Sequence, residues 1–235
     1  MNDLFGKALT DYYNNPGRQA LTTWTNLTEE ENIPLAYFFR SYEDMPQIEQ
    51  KALDMAQGKV LDIGCGSGSH SLYLQNHRQL ITHALDLSKG AITVAKARGV
   101  NFTHWGAIQE FSLGDFDTIL LLMNGLGVAK TVGDLFQFLT HLRSILAPKG
   151  QILVDSSDLI YLFDEDDKEL WMKDDRYYGE VDFGIGYQNA TQQFPWLYMD
   201  FTHLSEIAYR TGFNCSKVID GKHYDYLAKL IPKVS

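Results

Sequence analysis

The chain has 235 residues, 45% of them hydrophobic and 21% charged, with a net charge of −10. That length suits one domain with a substantial core, and the composition excludes an intrinsically disordered chain. The acidic balance, without any Lys/Arg cluster, argues against a nucleic-acid partner, because neutralising phosphates needs a basic face.

Two cysteines, Cys65 and Cys215, are too few for a disulfide framework and point to a reducing compartment. The start, Met1-Asn2-Asp3-Leu4-Phe5, lacks the basic and apolar parts of a signal peptide. No apolar run approaches the ~20 residues that span a bilayer. A cytoplasmic protein without a membrane partner is expected.

Residues 1–45 are polar and rich in aromatics, among them Trp24, Tyr37, Phe38, Phe39 and Tyr42, and read as several short helices. Pro34 opens one that carries Leu35, Phe38 and Phe39 on its buried side. Pro46 suits the first turn of the next, where Ile48, Ala52, Met55 and Ala56 recur at helical spacing until Gly58 stops it.

Val60-Leu61-Asp62-Ile63 then reads as the end of a buried strand, followed by Gly64, Gly66 and Gly68 and by a helix beginning at Ser69. Such a bend offers backbone to a ligand and the free N–H groups of a helix start. The dinucleotide pattern G-x-G-x-x-G fails in both frames, since Ser69 and Ser71 stand where its last glycine belongs. What remains, D-x-G-x-G-x-G, resembles motif I of the class I S-adenosylmethionine-dependent methyltransferases.

The resemblance implies a loop that cradles the methionine carboxylate and amino group of S-adenosylmethionine, whose product is S-adenosylhomocysteine. Asp62, Gly64, Cys65, Gly66, Gly68 and His70 would surround that end of the cofactor. A glycine-rich turn with a purely structural job is the competing reading, and Cys65 itself reads as a small packing residue rather than a nucleophile. The resemblance also implies that residues 1–45 form a helical cap over the cleft of a methyltransferase domain, residues 46–235. Arg40 would then reach the cofactor carboxylate, with Tyr37 and Tyr42 lining the acceptor pocket. A surface arginine and a core tyrosine are the alternative.

Gln79 to Leu85 is the second strand and ends in Asp86-Leu87-Ser88. A carboxylate there is placed to accept hydrogen bonds from both ribose hydroxyls, with Leu87 beside it. Nicotinamide enzymes share the device, so Asp86 supports a nucleoside without choosing the cofactor. It equally suits the cap of the helix that runs from near Ser88 to Gly99.

Val100 to His104 is a third strand, followed by Trp105-Gly106-Ala107 where the resembling family often has an acidic residue. Adenine recognition is then left to backbone at Gly106 and Ala107, with an apolar wall from Trp105 or its neighbours; an ordinary core aromatic is the alternative for Trp105. Phe116 to Met123 is the strongest strand, apolar enough to be buried on both faces. It leads to Met123-Asn124, which corresponds to motif IV, where cofactor and acceptor meet. The Asp/Asn-Pro-Pro-aromatic device of base and amide methylation is absent beyond Asn124. That residue either orients an acceptor or holds the loop.

Val132 to Leu146 is an amphipathic helix ended by Pro148-Lys149-Gly150, and Gln151 to Asp155 is the fifth strand. The alternation predicts an α/β protein with a doubly wound, mostly parallel seven-stranded sheet of Rossmann-like type. Residues 156–200 break the rhythm and read as an insertion on the substrate side. Within it, Asp164-Glu165-Asp166-Asp167 is a solvated turn, and Tyr177 to Gln188 pairs with a strand near Trp196. Trp171 and Trp196, with Tyr177 and Tyr178, are candidate pocket walls, with ordinary packing as the alternative for each. A helix from Thr202 to Arg210 and a hairpin of Cys215–Ile219 with Tyr224–Leu230 close the chain. This ending resembles the methyltransferase sheet, whose last strand inserts antiparallel.

The implied activity is methyl transfer to a small-molecule acceptor by in-line displacement, with no catalytic residue identified. A binding module without transfer and a nicotinamide oxidoreductase are the rival readings. His70, His203 and His223 read as structural, and no cluster has metal-ligand spacing.

Overall fold

The computed structural model describes residues 3–163 and 176–233. Helix α1 (Leu4–Asn14) leads into strands β1 (Ala20–Thr25) and β2 (Thr28–Pro34) and a 3₁₀ turn, Leu35–Phe39. Next come α2 (Gln47–Met55), β3 (Lys59–Ile63), α3 (Ser69–Asn76), β4 (Ile81–Asp86), α4 (Lys89–Ala97) and β5 (Phe102–Trp105). They are followed by β6 (Phe116–Leu121), α5 (Val132–Ile145) and β7 (Leu146–Ser157). Strands β8 (Glu180–Tyr187) and β9 (Ala190–Leu197), helix α6 (Phe201–Arg210) and strands β10 (Phe213–Asp220) and β11 (Asp225–Pro232) complete it.

Seven strands form one sheet in the order β10-β11-β7-β6-β3-β4-β5. The pairs from β7 across to β5 are parallel, and β11 inserts antiparallel between β7 and β10. The expected topology is therefore present. Successive side chains of a strand point to opposite faces, and here both faces are buried. Leu61, Ile119, Ile152 and Val154 pack with Leu139, Leu142 and Leu204 of α5 and α6. Val60, Leu120 and Leu153 pack with Ile48, Ala52 and Leu53 of α2. Each such Val, Leu or Ile side chain contributes about 1.5–3 kcal/mol when fully buried. Strand β7 begins earlier than expected, at Leu146, and shifts register between the Phe116–Leu146 and Thr118–Gln151 pairs, so Pro148-Lys149-Gly150 lies within it.

The N-terminal segment departs from expectation. Residues 20–34 are a hairpin rather than a helix, because Leu21 and Thr23 alternate with more exposed neighbours in a Thr/Trp run that favours a pleated surface. Strand β1 also pairs antiparallel with β8, from Thr22–Gly186 to Thr25–Phe183. The hairpin and the insertion thus make a second, four-stranded sheet, β2-β1-β8-β9. This sheet meets the carboxyl edge of the large one at the 3₁₀ turn Gly125–Ala129, where the Trp196 indole fills the space a Cβ on Gly127 would need.

Candidate functional site

Past β3 the chain bends through Gly64, Gly66 and Gly68, with φ of 74°, 54° and 84°. The three glycines serve different ends. A Cβ on Gly68 would lie 2.9 Å from Val100 Cγ2 and 3.1 Å from Ala95 Cβ, so this glycine lets α3 start against its neighbours. Around Gly64 no atom lies within 4 Å of that position, and around Gly66 only the Phe5 ring does, at 3.9 Å. These two leave an open cradle. Cys65 turns inward among Ala84, Ala95 and Val100, and burial pushes its thiol well above the ordinary value. Only its backbone belongs to the cradle.

The bend is held from several sides. Gly64 N–H and Cys65 N–H donate to the Leu85 carbonyl at 2.8 and 3.2 Å. The Ser67 and Ser69 hydroxyls donate to the Phe38 carbonyl, and Arg98 donates to the Ser67 carbonyl at 2.8 Å. Helix α1 joins through Asp3, which accepts from Gly90 N–H at 2.8 Å.

At the end of β4, Asp86 accepts Gly66 N–H at 2.9 Å on one oxygen and Ser88 N–H at 2.8 Å on the other. Burial raises its carboxyl to about 6, against the Ser88 and Gly66 bonds that pull it down. Ser88, not Asp86, caps α4 by accepting Ala91 N–H. Leu87 and Trp105 stand exposed side by side, joined by a 3.0 Å bond from the indole N–H to the Leu87 carbonyl. Gly106 follows with open space where a Cβ would be. The expected apolar wall therefore flanks the Gly106–Ala107 backbone.

Beneath the loop lies a buried polar chain. Asp62 accepts the Ser71 hydroxyl at 2.6 Å, and His70 Nε2 lies 2.6 Å from Glu49 Oε2. Arg40 pairs with the same Glu49 carboxylate, and its guanidinium sits 3.9 Å over the Tyr37 ring. Burial would raise Glu49, but His70 and Arg40 outweigh it and hold the carboxyl below its ordinary value. Burial would lower His70, but the Glu49 hydrogen bond and the Asp62 and Glu49 charges hold it above its own. The Nε–H of Arg40 is buried and has no partner among the described residues.

At the end of β6, Met123 and Asn124 both take left-handed backbone, with φ of 64° and 56°. Non-glycine residues seldom adopt it, and such strain clusters at functional sites. Ser157 donates its hydroxyl to Asn124 Oδ1 at 2.8 Å, so the asparagine side chain ties the loop to β7. Next to it the Asp155 carboxylate accepts Gly125 N–H at 3.1 Å, and burial raises its carboxyl to about 7.

Arg40, Asp62, the glycine loop, His70, Asp86, Leu87, Gly106, Ala107, Met123 and Asn124 thus all lie along the carboxyl edge of one sheet. Tyr42 does not. Its hydroxyl bonds Asp54 at 3.0 Å and its ring stacks 4.2 Å from Tyr73, on the outer side of α2 and α3. Asp54 is near the end of α2 that leads into β3, at the opposite edge, so the acceptor-pocket placement is corrected. Trp196 is brought over the β6 loop. Tyr177 and Tyr178 are used by Asp200 and Asp158, at 2.6 and 2.7 Å. Trp171 and the Asp164–Asp167 turn lie outside the described residues. Among the described residues no group of three or more His, Cys, Asp or Glu could hold a metal ion, and no helix is long and apolar enough to cross a membrane.

Sequence reasoning missed Glu49 and Asp155. Glu49 had a signal, a charge beside Ile48 and Ala52 on the buried face of a helix. Asp155 closes the fifth strand as Asp86 closes the second, and the same logic applied to both.

A family model for the methyltransferase domain matches residues 60–150. A crystal structure of an S-adenosylmethionine-dependent methyltransferase from Bacteroides fragilis, in complex with S-adenosylhomocysteine, is 39% identical, with a TM-score of 0.89. The match covers 99% of this chain and 95% of that one. The CcbJ methyltransferase from Streptomyces caelestis, 12% identical, covers 100% of both chains at a TM-score of 0.63. A methyltransferase from Clostridium acetobutylicum, 13% identical, scores 0.61 over 85% of this chain and 95% of that one. The last two likenesses concern the fold alone. A comparison with curated proteins finds no match.

Proposed function

The chain belongs to the class I S-adenosylmethionine-dependent methyltransferases, and from that premise we propose that it methylates a small organic acceptor by in-line displacement. The acceptor would sit between the β6–β7 edge and the four-stranded sheet. The observation that carries this reading is the convergence of three loops, after β3, β4 and β6, on one edge beneath Trp196 and the Leu35–Phe39 turn.

The residues present fit the cofactor. Gly64 and Gly106 have positive φ and nothing where a Cβ would be, and the orphaned Arg40 Nε–H leaves a donor beside the loop. When bound, S-adenosylmethionine supplies an electrophilic methyl on a sulfonium sulfur. Arg40 and the loop backbone would hold its amino-acid end. Asp86 keeps lone pairs beyond the two that its backbone partners use, and these would take the ribose hydroxyls. Leu87, Gly106 and Ala107 would border the adenine, while Met123, Asn124, Tyr37 and Trp196 surround the reacting end. Fixing donor and acceptor in line can contribute about 7–11 kcal/mol to such a displacement.

Calorimetry tests the cofactor half: micromolar binding of S-adenosylhomocysteine and none of NADH is expected. Incubation with S-adenosylmethionine and a panel of small amines, alcohols, thiols and acids tests the acceptor half. Formation of S-adenosylhomocysteine only when a protein or nucleic acid is supplied would overturn the small-molecule reading.

A further inference from the structure

We propose that Asp155 receives the nucleophile of the acceptor, and that this nucleophile is an amine arriving as its ammonium ion. The inference rests on the cleft being the methyl-transfer site and names the substrate class it takes.

The pleat sets the geometry. Asp155 lies two residues beyond Leu153 on β7 and so projects from the same sheet face, toward the cleft side that holds Glu49 and His70. One of its oxygens accepts Gly125 N–H, from the loop where β6 ends in two left-handed residues. No side chain among the described residues donates to this carboxylate, whose backbone partners are Gly125 and Asn124, and Asp155 is only 7% exposed.

The charges around it select the guest. Arg40 and His70 both pair with the Glu49 carboxylate, and the His70 charge reaches Asp155 without forming an ion pair with it. Asp155 therefore faces the acceptor side without a cationic partner among the described residues. Its charge is felt by the phenols of Tyr37 and Tyr198, both held above their ordinary range chiefly by burial. Aromatic rings beside an unpaired, poorly hydrated carboxylate favour a cation twice, through charge pairing and through the ring faces. A carboxylic acid acceptor would be repelled, and an alcohol would leave the charge uncompensated.

The carboxyl value near 7 matches a group that must take a proton from an ammonium and give it up again. In the balanced step, the N–H proton moves to Asp155 and frees the nitrogen lone pair. That pair forms the N–C bond while the C–S pair stays on sulfur, so the methylated amine carries the positive charge and a neutral thioether remains.

Binding of benzylammonium, benzyl alcohol and benzoate to the full chain saturated with S-adenosylhomocysteine, measured by calorimetry, tests the inference. Benzylammonium is expected to bind at least about ten-fold more tightly than the other two. Asp155→Asn should bring benzylammonium and benzyl alcohol within about two-fold while S-adenosylhomocysteine affinity is kept. Equal or tighter binding of the alcohol or the acid, no binding of any of the three, or a preference that survives in Asp155→Asn would each overturn it. Should that variant fail to fold, the ranking with the unaltered protein decides. Failure of S-adenosylhomocysteine to bind counts instead against the methyl-transfer reading.

Discussion

Asp86 accepts the backbone N–H of Gly66 at 2.9 Å, so one carboxylate both faces the expected sugar position and fixes the bend that faces the amino-acid tail. The two halves of the proposed cofactor site are thereby mechanically joined. Asp86→Ala should weaken S-adenosylhomocysteine binding by roughly 1.5–3 kcal/mol, the range for hydrogen bonds to charged groups. Calorimetry reading the unaltered affinity would rule out a ribose contact.

The loop glycines separate binding from folding. Gly64→Ala meets no neighbouring atom, so beyond the left-handed backbone penalty of roughly 1–2 kcal/mol its main effect should be on the ligand. Gly68→Ala would press on Val100 and Ala95 and should chiefly lower the melting temperature. Gly66→Val adds branched bulk beside Phe5 at a positive φ and should abolish binding. Thermal melts and titrations of the three variants check the division. A Gly64→Ala protein with full affinity would contradict the cradle.

Removing one member of the buried Arg40–Glu49–His70 chain leaves its partners charged without compensation. Glu49→Ala is expected to cost about 3–5 kcal/mol of unfolding free energy, as for other broken buried pairs. Urea unfolding measures it, and a loss typical of a surface ion pair, below about 1 kcal/mol, would refute the account.

The same chain gives stability a pH window. His70 is held above its ordinary value of 6.5 in the fold, so its contribution is full below that value and is lost as pH rises through the raised one. Glu49 is held below its ordinary 4.5, so its contribution is present above that value and is lost as pH falls through the lowered one. The destabilisation caused by His70→Gln should therefore be larger at about pH 6 than at about pH 9. An equal loss at both, by urea unfolding, would show that the proton is not held.

Trp196 roofs the β6 loop from a strand that makes no part of the expected cofactor cradle. Trp196→Ala should leave S-adenosylhomocysteine affinity within about two-fold and raise the KM for the acceptor by about ten-fold or more, a loss of uniform binding. A change confined to cofactor affinity would move Trp196 out of the acceptor pocket.

Much of this was legible beforehand because periodicity and loop chemistry agree along residues 59–157. The apolar runs ending in Gly64, Asp86 and Asn124 announce parallel strands with their ligand loops on one edge. The N-terminal segment was not legible. The alternation of Leu21 and Thr23 is a local strand signal in β1, but it covers few residues, and the β8 edge that β1 pairs with lies too far along the chain for a local pattern to reveal. Tyr42 was misplaced for a related reason: closeness in sequence to Arg40 says nothing about which side of α2 a side chain takes. Glu49 and Asp155 escaped because a single carboxylate gains meaning only from the neighbours that folding brings to it.

The antiparallel pairing of Thr22–Thr25 with Phe183–Gly186 has a consequence for biosynthesis. As the polypeptide leaves the ribosome, its first hairpin must wait, one edge unsatisfied, until the far insertion has been made. The large sheet can gather in the meantime from nearer neighbours, whereas the roof pays a long loop-closure entropy and should form last. Slow translation upstream of β8 would then prolong the exposure of that edge, and chaperone capture of stalled chains is most to be expected there.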